Sequence, residues 1–181
     1  MEREKPKIAY PAAGREAFSL LLCLAAALFH LLVARGYRVY SGDQRHYLLL
    51  PFREIFHPFA PGDWLTWHTS HYHFFFSAFI RALHALGGGL GVPFEWVLFG
   101  AYVLLLLALF RGLLALVRAL GGGEGHFALL LLLVFAYGDR PSRGIAYSFF
   151  LPSGYLVPSG MAAPFFLFSM AALFRGRRPW A

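Results

Sequence analysis

Four apolar runs, separated by more polar or glycine-rich stretches of very different length, set the plan of this chain. The first covers residues 17–34 and the second 94–117, each about the length of the roughly 20 apolar residues that cross a bilayer as a helix. The third, residues 126–137, is short for a crossing, and the fourth, 161–174, ends in Arg175, Arg177 and Arg178. Between the first two lies a different kind of sequence. Residues 35–93 mix histidine, acid and aromatic side chains, a composition suited to headgroup depth, where amphipathic rings settle. Two helices are expected inside it. One runs over 43–56 and is stopped by Pro58; the other runs over 70–86 and ends on Gly87, Gly88 and Gly89. Arg81 and His84 argue that the second lies along the membrane surface. Residues 138–160 form a proline-broken external connection. The expectation is an all-α, polytopic transmembrane helix bundle of about four crossings, one membrane domain, with interfacial amphipathic helices in its first external loop.

Composition strengthens this reading. Of 181 residues, 59% are hydrophobic and 14% charged, with a mean hydropathy of +0.57. Soluble domains average about 45–50% apolar and about 25% charged. A chain with so few charges could not cover a water-facing surface without large apolar patches, a demand that lipid removes.

The net charge of +7 changes the picture less than it first suggests. The basic residues flank apolar runs instead of gathering on one face, a pattern of membrane anchoring that argues against nucleic acid as a partner. With residues 1–16 and 175–181 in the cytoplasm, nine basic residues fall inside (Arg3, Lys5, Lys7, Arg15, Arg111, Arg118, Arg175, Arg177, Arg178) and seven outside. That bias places the amino terminus in the cytoplasm and the protein in the cell membrane as a multi-pass chain. The first run is too long for a signal-peptide core of about 7–15 residues, and Arg35-Gly36-Tyr37-Arg38 follows it where a cleavage site would stand, so it reads as a retained anchor. The one cysteine, Cys23, lies within an apolar run and reads as a packing residue.

Candidate chemistry concentrates after the first span. Asp43, in Gly42-Asp43-Gln44, stands where a general base would reach a lipid-linked substrate, although on the bare sequence a cap for the helix that follows is the plainer role. Asp63, in Pro61-Gly62-Asp63, is the second acid. His68, His71 and His73 could hold a divalent metal with Asp63 nearby, although their spacing matches no strong ligand motif; packing in an aromatic interface is the plainer role. Arg140 and Arg143 have the chemistry to grip a substrate phosphate, or are simply solvated at a loop tip. Residues 87–91 and 121–125 are glycine-rich but follow no strand and carry no Lys-Ser/Thr, so they read as turns, not phosphate loops.

The order of these features resembles the amino-terminal part of the GT-C class of polytopic membrane glycosyltransferases, which includes mannosyltransferase-like and arabinosyltransferase-like enzymes. The resemblance rests on a first span followed by Gly42-Asp43-Gln44, the stretch Tyr47-Leu48-Leu49-Leu50-Pro51 with the Pro61-Gly62-Asp63 turn, the segment from His73 to Phe79 leading into a long span, and the proline-broken Leu156-Val157-Pro158-Ser159-Gly160. It implies transfer of a sugar from a polyprenyl-phosphate donor at the outer face, with Asp43 as catalytic base and Asp63 as a further acid or metal ligand. Many members carry a second acid beside the first, where this chain has Gln44, and members have about twice as many spans or more. On that resemblance the chain would be the front portion of such an enzyme, and a second membrane polypeptide a possible partner. Two other readings stand beside it: a non-catalytic membrane subunit, and a metal-dependent membrane enzyme or transporter built on His68, His71 and His73.

Overall fold

The computed structural model describes residues 12–34, 36–40, 44–57, 60–62, 64, 73–137, 154 and 156–176. All regular structure among them is helical. The elements are α1 (Ala12–Phe29) continued by a π-helical turn (His30–Ala34), α2 (Gln44–Ile55), α3 (Phe74–Leu90), α4 (Phe94–Ala119), α5 (Glu124–Tyr137) and α6 (Pro158–Gly176). Among the described residues, two helical stretches are long and apolar enough to cross a membrane: Gly14–Ala34, 21 residues, and Phe94–Ala119, 26 residues. At 1.5 Å per residue they are about 32 Å and about 39 Å long, against a hydrocarbon core of about 30 Å.

Side-chain contacts fix the helix directions. Glu16 meets Arg118 at one end of the α1–α4 pair and His30 meets Tyr102 at the other, so the two are antiparallel. Arg118 meets Glu124, and Phe110 stacks near Phe135, so α5 turns back along α4. Leu98 packs in one cluster with Leu156, while Gly112 faces Pro164 and Leu167, so α6 runs in the same sense as α4. Taken in chain order, α1, α4, α5 and α6 therefore alternate in direction.

Two cores hold them. The larger joins α1, α4, α5 and α6 through Cys23, Ala26, Ala27, Leu106, Phe110, Leu114, Phe127 and Leu167. The smaller joins α2, α3 and the start of α4 and α6 through Leu48, Phe76, Ile80, Leu98 and Leu156. Outside the cores the surface is strongly apolar: Phe18, Leu21, Leu104, Leu132 and Phe165 are exposed, Leu32 is 79% exposed and Phe75 80%. Isolated exposed leucines are ordinary, but a surface made of them is not.

Two of the boundaries that differ from the sequence expectation have a plain local cause. Helix α3 does not stop at Gly87 but runs through the three glycines to Leu90 and closes at Gly91, whose φ of 66° is left-handed. The turn is sealed by Val92 N–H donating to the Gly87 carbonyl (2.9 Å), a closure that glycine permits without a Cβ penalty. Gly87 is itself a packing residue: a Cβ there would lie 3.0 Å from the Val92 carbonyl oxygen and 3.1 Å from Val97 Cγ2. The last helix starts earlier than expected, at Pro158, because a proline at the first helical position sacrifices no needed N–H.

Candidate functional site

At the end of the bundle where α1 finishes and α4 begins, the chain builds a polar shelf from Tyr37, Tyr40, Gln44 and Glu95. Tyr40 is its pivot. Its backbone sits at φ 56°, a left-handed conformation unfavourable to a residue with a Cβ, and such strain persists only where the surroundings over-determine it. Three bonds hold it: its N–H donates to Gln44 Oε1 (2.7 Å), its carbonyl accepts from Arg45 Nε (2.6 Å), and its hydroxyl donates to Glu95 Oε1 (3.1 Å). Gln44 is fully buried, and its Nε2 has no hydrogen-bond partner among the described residues. Burial, with the nearby Glu95 carboxylate, pushes the Tyr40 hydroxyl up to about 12.

Tyr37 lies beneath. Its ring packs 5.1 Å from Phe99 and 5.0 Å from Tyr102, and burial first, then Tyr40 and Glu95, raises its hydroxyl to about 12. One layer deeper, the π-helical turn brings His30 to Tyr102. Neither is open to solvent, and His30 Nε2 and Tyr102 Oη share a hydrogen bond of 2.9 Å. A π-turn rotates the side chains that follow it, is rare, and occurs often at functional positions. Beside the shelf, Arg38 N–H donates to the Gly154 carbonyl (2.6 Å), bringing the stretch before α6 alongside it.

Of the site residues expected from the sequence, His73 alone is among the described residues. Asp43 lies outside the described residues, but Tyr40 and Gln44, on either side of it, are the two best-anchored shelf residues. Asp63 also lies outside them, between exposed Gly62 and Trp64. His68, His71, Arg140 and Arg143 are likewise outside. His73 is described: it begins α3 with φ 53°, its carbonyl accepts from Ser77 N–H (2.9 Å), and its ring stands edge-on to Tyr47 at 4.8 Å. Among the described residues no three His, Cys, Asp or Glu side chains converge as a metal site. Sequence reasoning missed Glu95, Gln44 and Tyr102. An acid in the first turn of a 26-residue apolar helix, Glu95, was the one visible signal.

The opposite end is tied by charge. Arg118 reaches Glu16 Oε1 (2.7 Å), Glu124 Oε1 (2.7 Å) and the hydroxyl of buried Ser19 (2.5 Å), and Ser19 donates on to the Arg15 carbonyl (2.8 Å). Arg15 Nε meets Glu124 at 3.1 Å. Arg118 above all, with Arg15, holds the Glu124 carboxyl down at about 2.

No known protein family matches this chain, and no curated protein or solved structure matches it.

Proposed function

We propose that the chain is a multi-pass protein of the cell membrane with its amino terminus in the cytoplasm, and that it works as a GT-C-like glycosyltransferase, or the front portion of one, at the outer face. The alternation in direction of α1, α4, α5 and α6 is what four successive crossings require. The exposed Leu and Phe side chains along them suit lipid and would be costly in water.

The observation that carries the catalytic reading is the shelf. A strained, triply bonded Tyr40 and a buried Gln44 bracket Asp43, so chemistry at Asp43 would stand on a rigid base at one end of the bundle. Catalytic groups gain most from such fixed supports. In the proposed reaction Asp43 accepts the proton of an acceptor hydroxyl. The acceptor oxygen bonds to the anomeric carbon of a polyprenyl-phosphate sugar, and the bond from that carbon to the phosphate oxygen breaks, releasing polyprenyl phosphate. Asp63 is the second acid in this scheme, and Arg140 with Arg143 would steady the phosphate.

The experiment is Asp43→Asn, assayed in membranes for transfer from a polyprenyl-phosphate sugar. Loss of transfer with normal accumulation is expected. Full activity in the variant removes Asp43 as the base, and absence of transfer by the wild type leaves a non-catalytic membrane subunit as the better account.

A further inference from the structure

The arginines at the charged end are unequally satisfied. Arg118 takes both carboxylates at 2.7 Å, and its guanidinium is committed to holding the helices together. Arg111 reaches only Glu16 Oε2, at 3.4 Å from each terminal nitrogen, longer than a well-made N–H···O bond. Arg15 spends Nε on Glu124, and its two terminal nitrogens have no partner among the described residues; its side chain is 56% exposed and that of Arg111 35%. Because α6 runs with α4, exposed Arg175 in its last turn ends on the same side. Against these cations stand Glu16 and Glu124 alone among the described residues of this end. Exposed Phe18 and Leu21 follow Arg15 along α1, and exposed Leu120 closely follows Arg118.

We propose that Arg15 and Arg111 bind phosphate groups of anionic phospholipids in the leaflet this end reaches, with Arg118, which joins their partners Glu124 and Glu16, as the fixed strut. A guanidinium offers five donors in a planar fork that matches phosphate oxygens, and here two forks have donors to spare at the start of one apolar helix and within the last turns of another. The neighbouring Phe and Leu side chains would take the acyl chains. Glu16, half-exposed and touched weakly by Arg111, is the group a phosphate would displace from that arginine. The inference rests on the membrane reading above but not on the glycosyltransfer chemistry.

The test uses the full chain purified in detergent and moved into nanodiscs of phosphatidylcholine, with or without phosphatidylglycerol. Native mass spectrometry counts retained phosphatidylglycerol, and thermal unfolding reads the stabilisation it gives. The wild type should retain the anionic lipid selectively, and R15Q/R111Q should bind it about 30-fold more weakly, at ~1 kcal/mol for each arginine near an anionic surface. Should the double variant not fold, R15Q or R111Q alone carries the test with about a fivefold loss. Equal retention of both lipids by the wild type, or an unchanged preference in the variants, overturns the proposal. So does inorganic phosphate reproducing the whole stabilisation in phosphatidylcholine discs, which would assign the site to a free anion. A chain that stays in aqueous buffer without detergent refutes the membrane reading itself; stable insertion without lipid preference refutes only this one.

Discussion

His30 and Tyr102 share a 2.9 Å hydrogen bond across 72 residues of sequence, with the imidazole wholly shielded from solvent and the phenol nearly so. Both belong to helical stretches long enough to span a bilayer, where a polar side chain is retained only with a partner. Among the described residues the pair is the most buried polar contact between the first helical stretch and α4.

Tyr102→Phe should therefore destabilise the bundle by about 1 kcal/mol, within the range measured for side-chain hydrogen bonds between membrane helices. His30→Leu should cost a similar amount, and the double variant less than the two together. Unfolding in mixed micelles, followed by tryptophan fluorescence, reads all three. Strict additivity would mean that the bond contributes nothing.

The Glu124–Arg118 contact sets an acid limit. The folded carboxyl titrates at about 2, below the ordinary carboxylate value near 4.5, so folding favours its charged form. The stability it contributes is fully present above about pH 4.5 and is lost as the pH falls toward 2. Melting temperatures taken across that window should drop in the wild type and drop less in Glu124→Gln. Matching slopes would show that other carboxyls carry the acid transition.

Tyr37 and Tyr40 set the alkaline counterpart. Their folded hydroxyls titrate at about 12, above the ordinary value near 10, so folding favours the neutral form. That contribution is intact below about pH 10 and fades as the pH rises toward 12. Phenolate absorbance should show a late-ionising component among the nine tyrosines, and Tyr37→Phe/Tyr40→Phe should delete it. An unchanged late component would assign it elsewhere.

Gly112 marks a close approach of α4 and α6. A Cβ there would lie 3.0 Å from Leu167 Cβ and 3.4 Å from the Pro164 carbonyl oxygen, whereas at Gly100 it would meet nothing within 4 Å. Gly112→Ala should lower stability by about 1–3 kcal/mol through overpacking, while Gly100→Ala should be neutral or slightly stabilising in the same unfolding assay. Equal effects at both positions would show that helix propensity, not the α4–α6 approach, decides.

The helices were legible because their signal is local: a run of apolar residues long enough to span reads the same in the sequence and in the fold. Boundaries failed where packing overrode a local rule. Gly87, Gly88 and Gly89 looked like a stop, yet Gly87 is helical because the absent side chain lets Val92 and Val97 approach. Pro158 looked like a break and begins a helix instead. At the site, His30 is the one His, Lys, Arg, Asp or Glu between residues 17 and 34, but nothing near it in sequence points to Tyr102. Gln44 drew notice only as the wrong neighbour for Asp43; that its side chain turns back to the Tyr40 N–H depends on a left-handed residue that no sequence pattern announces.

The α4–α6 seam also has a place in time. These two helices make the most extensive pairing among the described elements, and their facing residues, Gly112 and Leu167, are 55 positions apart. At about 5–20 residues per second, a ribosome that has released Gly112 needs roughly 3–11 s to release Leu167. Throughout that interval the groove along α4 stands open, after α1 and α5 have become available to pack on their own sides. Translation speed across the stretch between α5 and α6 therefore governs how long the nascent bundle remains unclosed, and synonymous codon changes there should alter its yield without altering its sequence.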